Sequence, residues 1–217
     1  MNTVQTNTQL FDFGNGPVPA HRHPNGGGWV ADTAKVAETV YVGENALIYD
    51  RAHVSDQVWV FDRARIFGYA IVSNCAWVFH EAQIYDKARV FDEAEVCGQA
   101  HIFGEAWVSH TACVGSQAKV FDAAWINGSA QVGDKAQVYD AACIYGKAQI
   151  GAEASVYGQA QVYGRSKVNG SALVHEQARV YDEAILYGNA QIYGKARVYG
   201  KAQVSNNIIC GATQISN

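Results

Sequence analysis

Aliphatic residues recur at every sixth position through most of the chain. The series runs from Val30 to Val204 as 30 consecutive Val, Ile or Leu residues with no insertion. Two residues before each aliphatic lies a second regular position, which is Ala in 26 of the 30 six-residue units. Residues two apart in a strand point to the same side. Each unit therefore predicts one short strand that turns a small and an aliphatic side chain inward.

Turn-forming residues separate these strands. Two residues after each aliphatic comes Gly, Asp or Asn in 23 of the 30 units, and these types tolerate a positive φ. No apolar spacing of 3.6 residues appears, so the pattern favours no helix. All three prolines, Pro17, Pro19 and Pro24, precede the repeat, as expected if every interior N–H joins a ladder of hydrogen bonds. The sequence thus predicts an all-β stack of strands and corners.

The residue after each aliphatic indicates how many units close one coil. It is Phe or Tyr in 16 units. If the units are assigned alternately to two faces, each face receives 8 of these aromatic residues, but if they are assigned in turn to three faces, the faces receive 8, 5 and 3. This split favours an 18-residue coil with three flat faces. Ten such coils, stacked about 4.8 Å apart, would make a rod roughly 45 to 50 Å long.

These boundaries divide the chain into three parts. Residues 1–28 are predicted to be an N-terminal cap segment, 29–206 the β-helix of 30 units, and 207–217 a C-terminal cap, because stacked repeats need covered ends. At the C-terminus the phase slips by one residue, with Ile209 and Ile215 at the shifted positions. We interpret that slip as the end of the stack.

Two groups of aromatic residues are predicted to lie on the outside. The richest of the three sets is called the aromatic column below. It consists of Tyr49, Phe67, Tyr85, Phe103, Phe121, Tyr139, Tyr157 and Tyr193. His175 fills the one gap in this series. The second patch lies on another face and consists of Tyr41, Trp59, Phe61, Trp77 and Phe79. An exposed column of this length would exceed the few hundred Å² of apolar surface typical of monomers, which predicts self-association. For the second patch we expect a cover from the N-terminal segment, which carries Leu10, Phe11, Phe13 and Val18.

The repeat resembles that of the hexapeptide-repeat proteins, in which a small residue follows an aliphatic one by four positions. Residues 198–203, VYGKAQ, match that motif closely, and the resemblance covers residues 29 to 204. It implies a single-stranded left-handed parallel β-helix, and a homotrimer of rods packed side by side. The start at Gly27 to Val30 and the tandem A-x-V-Y-G/D units look most like uncharacterised bacterial and phage repeat proteins of the YdcK type. Members of the wider group include acyltransferases and γ-class carbonic anhydrases, so the fold does not select a function.

Composition excludes several classes of protein. Hydrophobic residues make up 49% and charged residues 17% of the chain, which is unlike a disordered polyelectrolyte. A net charge of −4 gives no basic footprint for nucleic acid. No apolar run is long enough to span a membrane, and the first 20 residues lack the pattern of a signal peptide. Five cysteines without CxxC spacing indicate reduced thiols in a cytoplasmic protein with no structural zinc.

Histidines are the candidates for chemistry. An acyltransferase needs a base that titrates near neutrality, and His80 and His110, both at corner positions, are the candidates for it. His21 and His23 would lie on one side of an extended strand and are the candidate metal ligands, although two ligands do not make a site. Aspartates at the corners are expected to form turns and not to bind calcium. We predict no cofactor.

The absence of any interrupting loop in 30 units and of a C-terminal helix pattern weighs against catalysis. The leading hypothesis is therefore a non-catalytic structural or binding protein that self-associates and presents aromatic and polar faces to a partner. The alternative is an acyl- or acetyltransferase with an active site between subunits.

Overall fold

A computed structural model of the protein describes residues 9–217. Within that range the chain forms three sheets of 13, 11 and 10 strands and no helix, and thus none that could span a bilayer. Apart from two N-terminal strands of the 13-stranded sheet, strands one coil apart pair in parallel, as Gln83 does with His101 and Ile84 with Ile102. The predicted 18-residue coil with three faces is therefore confirmed. The left-handed sense of the coil remains what the resemblance implies.

The strands are short, and the chain passes through the three faces in turn. Face 1 contains the strands Trp29–Ala31, Leu47–Ile48, Arg65–Ile66, Gln83–Ile84, His101–Ile102, Lys119–Val120, Gln137–Val138, Ser155–Val156, Leu173–Val174, Gln191–Ile192 and Ile208–Ile209. Face 2 contains Lys35–Val36, His53–Val54, Ile71–Val72, Arg89–Val90, Trp107–Val108, Trp125–Ile126, Cys143–Ile144, Gln161–Val162, Arg179–Val180, Arg197–Val198 and Gln214–Ile215. Face 3 contains Tyr41–Val42, Trp59–Val60, Trp77–Val78, Glu95–Val96, Cys113–Val114, Gln131–Val132, Gln149–Ile150, Lys167–Val168, Ile185–Tyr187 and Gln203–Ser205.

The predicted inward positions form one continuous core. The aliphatic and Ala residues of the central coils, such as Ile102 and Ala106, have no exposed surface. Ser166, which replaces Ala at one inward position, is also fully buried, and its hydroxyl donates to the Tyr163 carbonyl at 2.9 Å. A hydroxyl that is satisfied in this way is tolerated in an apolar core.

Corner residues fasten each coil to the next. They adopt a positive φ, as at Asp134 (53°) and Gly170 (71°), which confirms the predicted turns. Where the corner is an aspartate, its carboxylate accepts a hydrogen bond from the corner amide of the following coil, for example from Ala152 N at 2.7 Å to Asp134. The aspartates that make this bond are Asp50, Asp56, Asp62, Asp86, Asp92, Asp122, Asp134, Asp140 and Asp182. They therefore cap backbone N–H groups as well as forming turns.

The N-terminal segment adds an antiparallel hairpin to face 1. Strand β1, Gln9–Asp12, pairs with β2, Pro17–Arg22, and β2 pairs antiparallel with the first strand of face 1 through Ala20 and Ala31. The first strand of face 1 is thereby paired, and β1 becomes the outermost strand of this sheet.

The C-terminal residues continue the stack. Ile208–Ile209 pairs with Gln191–Ile192, and Gln214–Ile215 pairs with Arg197–Val198. Our interpretation that the phase slip ends the stack is therefore wrong. The missing residue is absorbed at a corner, where the Asn207 carbonyl accepts from Gln191 N at 2.9 Å, and the inward alternation resumes at Ile209.

Candidate interaction surface

The aromatic column is a continuous stack of rings on face 1. From Tyr49 to Tyr193, including His175, successive ring centroids lie 4.7 to 5.1 Å apart with interplanar angles of at most 14°. Each ring therefore covers the faces of its neighbours and turns only an edge outward, and no ring of the column is more than about a third exposed. The column does not expose the large apolar area that the sequence suggested, and its main contribution is to the stacking of coils.

The N-terminal hairpin extends this column. The Phe13 ring stacks on Tyr49 at 4.9 Å and Phe11 stacks on Trp29 at 4.4 Å. Ala31 occupies the position at which later coils carry a ring, and its small side chain leaves the space that Phe13 fills. The prediction that this segment covers the second patch is therefore wrong, because pairing of β2 with face 1 carries its aromatic side chains to the aromatic column.

The second patch lies on face 3, and none of residues 9–217 covers it. Trp59 and Trp77 are 45% and 44% exposed, their rings stack at 5.9 Å, and Tyr41 lies 4.8 Å from Trp59. Behind them Phe61 stacks on Phe79 at 5.0 Å. These five residues form the apolar end of a flat surface on one face of the rod.

Face 3 has a second apolar end, which the sequence reasoning missed. Tyr187 is 43% exposed and Ile185 is half-buried beside it. Between the two ends, the positions after the aliphatic carry Gly115, Gly133 and Gly151, which lower the surface. Sorting the outward positions of the whole chain by face would have revealed this pattern.

The candidate bases His80 and His110 lie on different edges of the rod. His80 follows a strand of face 3, and His110 follows a strand of face 2. The backbone amide of Gly98 donates to His80 Nδ1 at 3.3 Å, and the ring packs against Phe79 with centroids 4.8 Å apart. His80 borders a shallow cavity of about 400 Å³, together with Asp62 and Glu81. Its Nδ1 is thus engaged in fastening one coil to the next.

His110 is likewise bound to its own corner. Its backbone N–H donates to the Asp92 carboxylate at 3.0 Å, and its Nδ1 lies 3.2 Å from Ser109 Oγ and 3.6 Å from Asp92 Oδ2. The structure does not bring His80 and His110 together.

His21 and His23 do not share a site either. His21 Nδ1 lies 2.8 Å from Asp32 Oδ1 at the surface. His23 is buried, with Nδ1 accepting from the Asn25 amide and Nε2 donating to the Ala37 carbonyl at 3.2 Å. No group of three or more His, Cys, Asp or Glu side chains within residues 9–217 is arranged to hold a metal ion.

Comparison with known proteins agrees with this geometry. Residues 190–206, the tenth coil, match the family model of the YdcK β solenoid repeat. The earlier coils share its spacing, its inward Ala and aliphatic positions and its corners. The chain is a β-solenoid with 18-residue coils, and its tenth coil is similar to the YdcK-type repeat. No curated protein matched the chain.

The solenoid also carries a pair of interacting thiols on face 3. Cys97 follows the strand that pairs with Cys113 and its neighbours, and its Sγ lies over Gly115, where an added Cβ would be only 2.9 Å away. A hydrogen bond from the Cys113 thiol, with a smaller contribution from His80, lowers the pKa of Cys97 to about 6. The same bond and burial raise the pKa of Cys113, so Cys113 remains the donor.

Alkylation of the solenoid should therefore single out Cys97. Because a thiolate is the reactive form, we expect Cys97 to react with iodoacetamide with a pH midpoint near 6 at protein concentrations low enough to keep the chain monomeric. Cys143, whose pKa is raised by burial, should react only at more alkaline pH. At pH 6 the difference in rate should be on the order of tenfold, since the lower intrinsic nucleophilicity of a low-pKa thiolate offsets much of its abundance. Residue-resolved mass spectrometry measures both profiles.

The matched variants are Cys113→Ala and Cys113→Ser. Cys113→Ala removes the hydrogen-bond donor and should move the pH midpoint of Cys97 alkylation to higher pH. Cys113→Ser keeps a donor in its hydroxyl and should largely preserve the wild-type midpoint. Equal midpoints at Cys97 and Cys143 in the unmodified chain would contradict the assignment.

Proposed function

We propose that this protein is a non-catalytic structural solenoid that self-associates and presents its flat faces to a partner. The observation that carries the proposal is the uncovered aromatic end of face 3. Trp59 and Trp77 are each nearly half exposed, and the hairpin that could have covered them packs on face 1 instead. Tryptophan in a flat apolar patch is the residue type most enriched at the energetic centres of interfaces.

The regularity of the rod supports a structural function. The corner histidines His80 and His110 each serve the packing of their own corner and lie on separate edges. A cytoplasmic location is part of the proposal and is supported by five unpaired thiols.

Light scattering during size-exclusion chromatography tests self-association. At micromolar concentration the mass should exceed the 23.5 kDa of one chain. Trp77→Gln should weaken association by about tenfold, because it removes the centre of the apolar patch. The matched control is Trp125→Gln, which changes an equally exposed tryptophan on face 2 and should leave the mass unchanged.

Three results would count against the proposal. A monomeric mass at micromolar concentration would contradict self-association. Equal effects of Trp77→Gln and Trp125→Gln would contradict face 3 as the site of association. Turnover with acetyl-coenzyme A or another acyl donor would replace a structural function with that of an acyltransferase.

A further inference from the structure

The outward side chains of face 3 show a complementary pattern about its midpoint. The pattern is centred on Gln131, at the sixth of the ten strands, one half-coil from the geometric middle of the face. Two strands before it lies Glu95 and two strands after it lies Lys167, and both are exposed. One strand further out on each side lie Trp77 and Ile185. At these two distances from Gln131, acid is matched with base and apolar with apolar, whereas Cys113 is matched with Gln149 and Trp59 with Gln203 at the other two.

The second outward column of face 3 has the same property. Its midpoint is Gly133, with Gly115 one coil before it and Gly151 one coil after it. Three coils from the midpoint lie Phe79 on one side and Tyr187 on the other. Gly115 is therefore matched with Gly151 and Phe79 with Tyr187, whereas the remaining pairs, Cys97 with Asn169 and Phe61 with Ser205, differ in type.

We propose that face 3 binds face 3 of a second copy of this chain, in an antiparallel dimer whose two-fold axis passes through Gln131. This proposal rests on the self-association proposed above and adds its partner geometry. A two-fold axis along the strand direction makes the two rod axes antiparallel and leaves the strands of the two copies running in the same direction. A residue that precedes an aliphatic in one copy therefore meets a residue that precedes an aliphatic in the other. Glu95 then faces Lys167 of the second copy twice, and Trp77 faces Ile185 twice.

The two charges of face 3, Glu95 and Lys167, have no salt-bridge partner among residues 9–217. They cannot pair within one chain, because four coils at about 4.8 Å hold them roughly 19 Å apart. A second, antiparallel copy brings opposite charges together without any like-charged contact on this face.

The other two faces do not offer this match. The outward positions before the aliphatics of face 2 include the cations Lys35, Arg89, Arg179 and Arg197 and no acid. Those of face 1 include Arg65 and Lys119 and, again, no acid. Self-pairing of face 1 about its middle strand would place Lys119 opposite Lys119, and self-pairing of face 2 about its middle strand would place Arg89 opposite Gln161, so neither arrangement joins opposite charges.

The available area is sufficient for a stable dimer. Ten strands at about 4.8 Å spacing and a width of roughly 15 Å give on the order of 700 Å² per copy, close to the roughly 800 Å² per partner of a standard interface. Gly133 at the centre allows close approach, since an added Cβ there would meet nothing within 4 Å, whereas the Cys97 thiol and the Asn169 side chain occupy the space beside Gly115 and Gly151. A flat, self-complementary face of this size fits an isologous contact.

Charge exchange tests the arrangement, with the dissociation constant of self-association measured by sedimentation equilibrium. Glu95→Lys alone and Lys167→Glu alone each place like charges opposite each other at two sites, and should each raise the dissociation constant by on the order of tenfold. The combined variant Glu95→Lys/Lys167→Glu restores opposite charges and should return to within about threefold of the wild type. The control Lys119→Glu changes the same position of the unit on face 1 and should have no effect.

A cross-link provides a second measurement. Gln131 of one copy meets Gln131 of the other at the axis, so Gln131→Cys should form a covalent dimer under mild oxidation in excess of the wild-type background. Gln137→Cys, also exposed but on face 1, should not.

The outcomes separate this inference from the function on which it rests. If the wild type is oligomeric but the combined charge variant stays as weak as the single ones, the antiparallel dimer is wrong and self-association stands. A trimeric mass, as the family resemblance implies, would overturn the dimer in the same way. A monomeric wild type would overturn both.

Discussion

Ala142→Leu is expected to destabilise the rod by about 3 kcal/mol. Ala142 is fully buried at an inward position of face 2, directly before the strand Cys143–Ile144. Its neighbours above and below, Ala124 and Ala160, are also fully buried, so three small side chains follow one another along the inside of the prism. The added atoms of leucine have no space unless the backbone of adjacent coils moves apart, and such movement would break ladder hydrogen bonds on all three faces.

The control for this prediction is the preceding residue. Ala141 is exposed at a corner, and Ala141→Leu should change the free energy of unfolding by less than about 0.5 kcal/mol. Urea unfolding followed by tryptophan fluorescence compares the two variants. If Ala142→Leu and Ala141→Leu had equal stabilities, the interior of the prism would have to contain space that is absent from the structure.

Phe103→Ala should lower the free energy of unfolding by about 2 to 3 kcal/mol. The Phe103 ring stacks on Tyr85 at 5.0 Å and on Phe121 at 4.8 Å, so truncation removes two ring contacts and leaves a gap at the centre of the aromatic column. The loss should fall below that of a fully buried phenylalanine, because the outer edge of the ring is already in contact with water.

The matched variant is Phe103→Tyr. Tyrosine occupies the same position in neighbouring coils, as Tyr85 and Tyr139, and its hydroxyl would extend into solvent from the exposed edge. We expect Phe103→Tyr to lie within about 0.5 kcal/mol of the wild type in thermal or urea unfolding. If Phe103→Ala lowered the free energy of unfolding no more than Phe103→Tyr, the aromatic column would not stabilise the stack of coils.

Together these substitutions test the two kinds of contact that hold the coils together. The Ala and aliphatic positions exclude water from the interior, and the rings of face 1 join coils from the outside. In a repeat structure each coil touches only its neighbours, so a defect at Ala142 or Phe103 near the middle of the rod should weaken the continuity between its two halves.

Much of the fold could be predicted from the sequence because its information is local and repeated. The inward pair, such as Ala106 and Val108, is two residues apart in one strand, and the corner at His110 follows directly. The same short pattern appears 30 times, so chance matches average out. The aromatic column was also predictable, since its rings recur at the period of one coil.

The candidate interaction surface was predicted only in part. The second patch was correctly placed on a face of its own, but Tyr187 and Ile185 were missed at the other end of that face, more than a hundred residues away from Trp77. The charges Glu95 and Lys167 gain their significance only when they are placed on one face with the glycine strip between them. Such a pattern becomes visible once the coil is known.

The sequence by itself determined the strands, the corners, the three faces and the coil length, because each depends on contacts between adjacent residues or adjacent coils. Only the tertiary structure decided what the non-repeating ends do. Phe13 lies outside the repeat, and its place on Tyr49 depends on the antiparallel pairing of β2 with face 1. Likewise, Ile209 stays in the stack because a corner can shorten by one residue without disturbing the inward positions of the next strand. Local spacing encodes the repeat, whereas the position of a segment outside it depends on which exposed edge and which unfilled space it meets.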